Sequence, residues 1–237
     1  MREEIPLQTQ ISIVGIQDLD SCLFSIRFRI RGRVFWATSR LQRRFLTLSA
    51  PARMNAIQQF HHFFNCCIGA WRTERTYHYL DRGEVERSRT EFTIRTLTPE
   101  LKHKVLTDNN YPNHNVDGFL GFHLAFETVS EKGEEAGQEL NMLFVPRQET
   151  PLGLQGDYLR DRAYEEDRPM VAAFRFDPGS LQLVMTTTYT RVVAVDTITL
   201  LNPRLRLRQI LTYQRPPQGQ PLQELLLVGF GVEQKLT

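Results

Sequence analysis

From Trp71 to Glu233 the chain is a succession of short runs with strand character, separated by turn residues and interrupted by one short helical pattern. The runs cover residues 71–80, 84–97, 118–129, 138–146, 156–164, 169–176, 181–200, 204–213 and 222–233. The 181–200 run is long enough to hold two strands broken near Thr190, which brings the count to about ten. Parallel strands need a crossover of about a dozen residues or more, usually a helix, between each pair. These spacings leave no room for regular crossovers, so antiparallel pairing through short turns is the remaining solution. At about eight to ten strands, closing the sheet on itself removes its exposed edges and encloses one small-molecule cavity.

Two helices accompany the strands. In residues 55–69, Ile57, Phe60, Phe63, Phe64, Cys67 and Ile68 recur at three- and four-residue intervals, and Gly69 is a good stop. Thr98-Pro99-Glu100 opens a second short helix running to about Asp108, with threonine as N-cap, proline at the first helical position and an acid in the first turn. The expected fold is all-β with short helices: an antiparallel ten-stranded barrel like the lipocalins and fatty-acid-binding proteins, plus an N-terminal extension. Such a fold supplies a cup without naming its contents.

The extension is distinct in charge. Residues 1–53 hold nine arginines against four acids, so the remainder of a chain whose net charge is +2 carries about −3. Phe24, Ile26, Phe28 and Ile30 alternate with Ser25, Arg27, Arg29 and Arg31, the pattern of an amphipathic strand with a basic face, and Arg40, Arg43 and Arg44 follow. Basic faces attract polyanions, but no nucleic-acid-binding motif accompanies this one, and nucleic acid is not an expected partner. Met54 begins the first helical run, which divides the chain into a basic extension over 1–53, read as lying outside the native domain, and a barrel domain over 54–237. No apolar run approaches the roughly 20 residues that span a bilayer, and the N-terminus lacks the order of a secretory signal. Cys22 and the adjacent Cys66-Cys67 give neither a disulfide framework nor metal-ligand spacing. A soluble protein of a reducing compartment, with no membrane or metal partner, is expected, and Cys66-Cys67 reads as helix packing.

The segment from Val195 to Arg208 carries the candidate chemistry. Side chains two apart on a strand share a face, so Arg204, Arg206 and Arg208 form a guanidinium ladder with Leu205 and Leu207 opposite. Asn202-Pro203 marks the reversal. If the loop is Asn202 to Arg204, then Leu201 opposes Leu205, and Asp196, Ile198 and Leu200 share the arginine face. A two-residue loop breaks that association, because a shift by one residue flips the face. Two readings stay open: arginines in water over a leucine core, or arginines inside the barrel. The second demands anionic partners, since an unpaired buried charge costs several kcal/mol even after relaxation.

The segment Phe60-x-x-Phe63-Phe64-x-x-x-x-Gly69-x-Trp71-x-x-x-Arg75-Thr76-x-His78-x-Leu80 joins Thr187-Thr188-Tyr189, Val195-Asp196 and Asn202-Pro203-Arg204-Leu205-Arg206-Leu207-Arg208 in a combination that resembles the S-type phycobiliprotein bilin lyases, the CpcS/CpeS family. The resemblance runs from about Met54 to the C-terminus. It implies a barrel that binds an open-chain tetrapyrrole, phycocyanobilin or a related bilin, and assists its thioether attachment to a cysteine of an apo-phycobiliprotein subunit. The bilin is then substrate, with no permanently bound cofactor. By the same resemblance, Arg206 and Arg208 engage the bilin propionates, Asp196 is the pocket carboxylate with the catalytic part, and Arg75, His78 and Phe126 line the cavity. Phe126 stands where the family often has tryptophan, and Ile210 where it often has a small polar residue. A homodimer, or a heterodimer with another S-type lyase, and a setting in cyanobacterial cytosol or plastid stroma are further implications. A non-catalytic carrier of a bilin or another anionic apolar ligand, and a subunit active only in a heteromeric lyase, are the alternatives. No phosphate-cradling glycine loop or G-x-S-x-G elbow points to a nucleotide enzyme or a hydrolase.

Overall fold

The structure, a computed structural model, describes the backbone of three strands within residues 12–40, together with residues 55–112, 115–150, 152–161 and 168–237. The chain divides into two compact units, Met1–Arg53 and Met54–Thr237. In the first, β1 (Ser12–Gly15), β2 (Leu23–Ile30) and β3 (Arg33–Arg40) form an antiparallel sheet in that order. The side chains of the expected basic face, Arg40, Arg43, Arg44 and Cys22 lie outside the described residues, as does the end of the 156–164 run.

The second unit begins with α1 (Ala56–Cys67) and continues through β4 (Gly69–Tyr79), β5 (Glu84–Thr96), α2 (Pro99–Asp108), β6 (Leu120–Ser130), β7 (Glu135–Thr150), β8 (Gly153–Arg160) and β9 (Met170–Asp177). It ends with β10 (Gln182–Thr188), β11 (Val192–Asn202), β12 (Leu205–Gln214) and β13 (Leu225–Lys235). Each strand pairs antiparallel with the next, and β13 returns to β4 through Gly231 opposite Arg75, so β4 to β13 form a closed ten-stranded barrel. The 181–200 run does hold two strands, β10 and β11, with Tyr189–Arg191 between them. No helix among the described residues is long and apolar enough to cross a membrane.

The apolar stripe of α1 packs against one end of the barrel lumen. Phe60, Phe63, Phe64 and Cys67 are buried, with Phe60 in ring contact with Phe144, Phe174 and Phe176, and Phe64 stacked on Phe122 at 3.6 Å between centroids. These rings close that end as a dry floor of close-packed aromatics. A capping box starts the helix: Asn55 accepts from the Gln58 backbone N–H at 2.8 Å, and Gln58 Oε1 accepts from the Asn55 N–H at 3.0 Å. Asn55→Ala is expected to lower the unfolding free energy by about 1 kcal/mol, read from urea midpoints with the slope unchanged.

α2 covers the outside of the barrel. Val105 and Leu106 pack with Leu97, Tyr111, Leu143, Val145 and Leu159 in a second core. Leu140, Met142 and Phe144 of β7 belong to the lumen core while Leu143 and Val145 lie under α2, which explains why this strand reads as a continuous apolar run.

Candidate functional site

The β11–β12 hairpin turns through Pro203 and Arg204, with Asn202 opposite Leu205. That is the short loop, which by parity alone separates Asp196 from the arginines. A bulge between Leu200 and Asn202 restores the register: Leu201 is the extra residue, and Leu200 opposes Arg206 while Ile198 opposes Arg208. Arg204 is exposed in the turn, its backbone N–H donating to Asn202 Oδ1 at 2.9 Å. The ladder therefore has two rungs rather than three. Its polarity is the inverse of an ordinary amphipathic strand, since Arg206 is 3% exposed and Leu207 is 42% exposed.

Arg206 has an anionic partner that sequence reasoning missed. Glu233 lies directly opposite it on β13, is completely buried, and receives Arg206 Nε at 2.5 Å on Oε2. Its Oε1 accepts from Arg75 Nη2 at 3.3 Å, so one carboxylate joins guanidinium groups from β4 and β12. Burial alone raises a carboxyl's pKa, yet the surrounding Arg206, Arg208 and Arg75 charges hold Glu233 below the ordinary range. Burial likewise opposes the Arg206 cation, and Glu233 overcomes it. The guanidinium plane lies over Trp71 at 4.6 Å and Phe92 at 5.3 Å from the ring centroids. Nearby, the Trp71 indole N–H donates to the Cys67 carbonyl at 2.8 Å, and Lys235 Nζ to the Cys66 carbonyl at 2.7 Å, tying the end of α1 to the barrel wall. Burial pushes the Cys67 thiol up against the opposing pull of Arg206, so the thiol is stabilised in its neutral form.

A signal for Glu233 was present on its own strand. Gly229, Gly231 and Glu233 share one face of β13, whereas Phe230 and Val232 are exposed on the other. A Cβ on Gly231 would lie 2.8 Å from Thr73 Oγ1 and 3.1 Å from Arg75 Cγ, and one on Gly229 would lie 2.7 Å from Tyr77 Cδ1. The two glycines thus make room for Arg75 and Tyr77 on the inner face of β4. An acid in line with such glycines faces the lumen too.

Arg208 grips Asp196 with both ends of its fork: Nε stands 3.0 Å from Oδ1 and 3.1 Å from Oδ2, and Nη2 also bonds Oδ2. The pair is half-open, with side chains 24% and 19% exposed. Although burial disfavours its charge, Asp196 holds the Arg208 cation above the ordinary value. Phe126 pairs with Phe92 on one side and Gln138 on the other, and packs against the lumen core. Arg75, Arg206, Arg208, Asp196 and Phe126 are therefore brought together inside the barrel.

His78 is not. Trp71, Thr73, Arg75 and Tyr77 take the inner face of β4, so an even-numbered position on the same unbroken strand points outward. The imidazole stacks on Phe230, itself 52% exposed, at 6.0 Å between centroids, beside a shallow outer groove whose lining includes Phe230, Leu207 and Val232. The expectation that His78 lines the cavity is corrected accordingly.

A closed ten-stranded cup with paired guanidinium groups on its inner wall is the architecture on which the comparisons bear. A family model described as CpeS-like protein matches residues 59–236. The chain belongs to that CpeS-like family. A relative in Synechococcus sp. (strain JA-3-3Ab), "Chromophore lyase CpcS/CpeS 1", is 92% identical over 184 residues, 78% of this chain and 100% of the relative. "Chromophore lyase CpcS/CpeS" of Thermosynechococcus vestitus is 24% identical over 147 residues, 62% of this chain and 79% of that one. The solved S-type phycobiliprotein lyase CPES of Guillardia theta superposes with a TM-score of 0.61 at 18% identity, covering 78% of this chain and 94% of that one, and shares the fold. Membership in the CpeS-like family makes this chain an enzyme of the chromophore lyase class.

Proposed function

We propose that this CpeS-like chain binds an open-chain bilin, phycocyanobilin or a close relative, inside the barrel and delivers it to a cysteine of an apo-phycobiliprotein subunit. The observation that carries the reading is the inward ion-paired cluster of Arg75, Arg206 and Arg208 with Asp196 and Glu233, three guanidinium groups sharing two carboxylates beside an apolar wall. A bilin offers the complement: a flat conjugated body and two propionates. Arg208, at the more open position, supplies a guanidinium fork for a propionate. Arg206, deeper and held by Glu233, adds positive field from behind, while Trp71, Phe92 and Phe126 form the wall.

Asp196 faces the pyrrole nitrogens in this reading. A carboxylate there favours their protonated form and draws electron density from the exocyclic ethylidene group. The acceptor's thiolate then adds to that double bond, a carbon–sulfur bond forms, and the proton released by the thiol ends on the bilin, so no oxidant or reductant is consumed. The enzyme contributes orientation, exclusion of water and handover to the correct cysteine. The acceptor subunit is the partner, in cyanobacterial cytosol or plastid stroma, with residues 54–237 as the working domain.

The test mixes purified chain, phycocyanobilin and apo-subunit. A coloured adduct on the subunit that resists denaturation, formed faster than without the enzyme, is the expected result. A spectral change in the binary mixture with no transfer would make the chain a carrier, and transfer appearing only on co-expression with a second S-type protein would make it one subunit of a heteromer. Deleting residues 1–53 is expected to leave the transfer rate within about twofold, checked in the same assay.

A further inference from the structure

Ser88 has no part in the reading so far, yet its hydroxyl is a buried polar group without a hydrogen-bond partner among the described residues. The residue is 6% exposed and occupies the inner face of β5, directly opposite Arg75 of β4. Arg75 Nε is also buried and unpartnered among the described residues, although its Nη2 bonds Glu233. Directly opposed residues of an antiparallel pair hold their Cβ atoms about 4.5–5.5 Å apart. Two buried groups with unspent donors therefore stand side by side on one stretch of lumen wall. Proteins rarely leave such groups unsatisfied, because each forfeits the hydrogen bonds it made in water. The next inward carboxylate on β5, Glu86, is engaged by the Tyr79 hydroxyl at 3.2 Å.

We infer that Ser88 and the Nε edge of Arg75 form a carboxylate subsite on the β4–β5 wall, taking one propionate of the bilin while Arg208 takes the other. The chemistry is specific. A carboxylate has two oxygens and needs donors only; Arg75 Nε–H and the Ser88 hydroxyl are one donor each, and Glu233 fixes the guanidinium from the far side. Gly231, which pairs with Arg75 on its other flank, makes room for the Arg75 stem to lie along the lumen wall. Ser88 is thus a specificity residue for a ligand with two separated acid tails.

The inference rests on the bilin-binding reading, and the experiment separates the two. Affinities of the full chain and of Ser88→Ala are measured by fluorescence quenching with phycocyanobilin and with its propionate dimethyl ester, alongside the Tm of each ligand-free protein. The expected result is a loss of about tenfold in Ser88→Ala for the free acid, the worth of one hydrogen bond to a charged acceptor. Affinity for the diester stays within twofold, and Tm is equal or higher because an unsatisfied buried hydroxyl has been removed. Equal free-acid affinity in the two proteins overturns the subsite alone. So does an equal loss for both ligands with a lowered Tm, the behaviour of a merely structural hydroxyl. Failure of the unaltered chain to bind phycocyanobilin overturns the bilin reading and the subsite with it.

Discussion

Glu233→Ala is expected to destabilise the barrel by about 3–5 kcal/mol, the range found when one partner of a buried ion pair is removed. The cost falls on what remains. Arg206 is 3% exposed and lies over the Trp71 and Phe92 rings, so its charge has no route to water once Glu233 is gone. Arg75 loses the contact to its Nη2 at the same time. Replacing both partners with apolar residues, Arg206→Met with Glu233→Leu, is expected to recover most of that loss, because desolvation of the pair disappears along with its attraction. Urea denaturation of the three variants decides it. A single variant within 1 kcal/mol of the parent would mean that the guanidinium finds another counter-charge.

The same carboxylate gives the stability a pH signature. Burial by itself raises the Glu233 pKa, but the three arginines bring the folded value below the ordinary one. Its contribution is therefore complete above the unfolded value of about 4.3 and is lost as pH falls through the folded value. Subtracting the Glu233→Gln stability curve from that of the parent, measured from about pH 2 to 6, isolates this titration from those of other carboxylates. The difference should be flat above about pH 4.3 and fall below it. A difference that grows on acidification would reverse the sign of the assigned shift.

Strand and helix existence was legible because each rests on local pattern, down to the break between β10 and β11 and the capped start of α2. Legibility failed where a single residue changed parity or a partner came from a distant strand. Leu201 is the clearest instance: one bulged residue offsets a loop that is one residue shorter than the arginine–aspartate association required, and nothing local in Leu200-Leu201-Asn202 announces it. Arg204 was lost from the ladder because it sits in the turn itself. His78 is the opposite case, since it stands three residues from Arg75, and an odd separation on one strand already forbids both from facing the lumen. Glu233 pairs with Arg206 across 27 residues and with Arg75 across 158, separations no pattern spans. Only the glycine-lined face of β13 hinted at where its side chain points.

Asp196→Asn should cut the rate of chromophore attachment by about 100-fold, the lower end of what positioned proton-transfer groups contribute, while leaving bilin affinity unchanged or somewhat tighter. The two halves of this expectation come from the two things the carboxylate touches. Its fork with Arg208 occupies a guanidinium that the propionate is proposed to use, so neutralising the aspartate releases a competitor for that guanidinium. Asparagine keeps the shape and one acceptor but withdraws the negative charge that favours protonated pyrrole nitrogens, and the ethylidene carbon becomes a poorer target for thiolate. Arg208→Ala is the complementary variant, with affinity expected to fall by about tenfold or more and the rate at saturating bilin to change far less. Single-turnover transfer to the apo-subunit, with bilin affinity measured separately, distinguishes the roles. If Asp196→Asn weakens affinity and rate by the same factor, the aspartate serves only to hold Arg208 in place, and the proton-directing role falls.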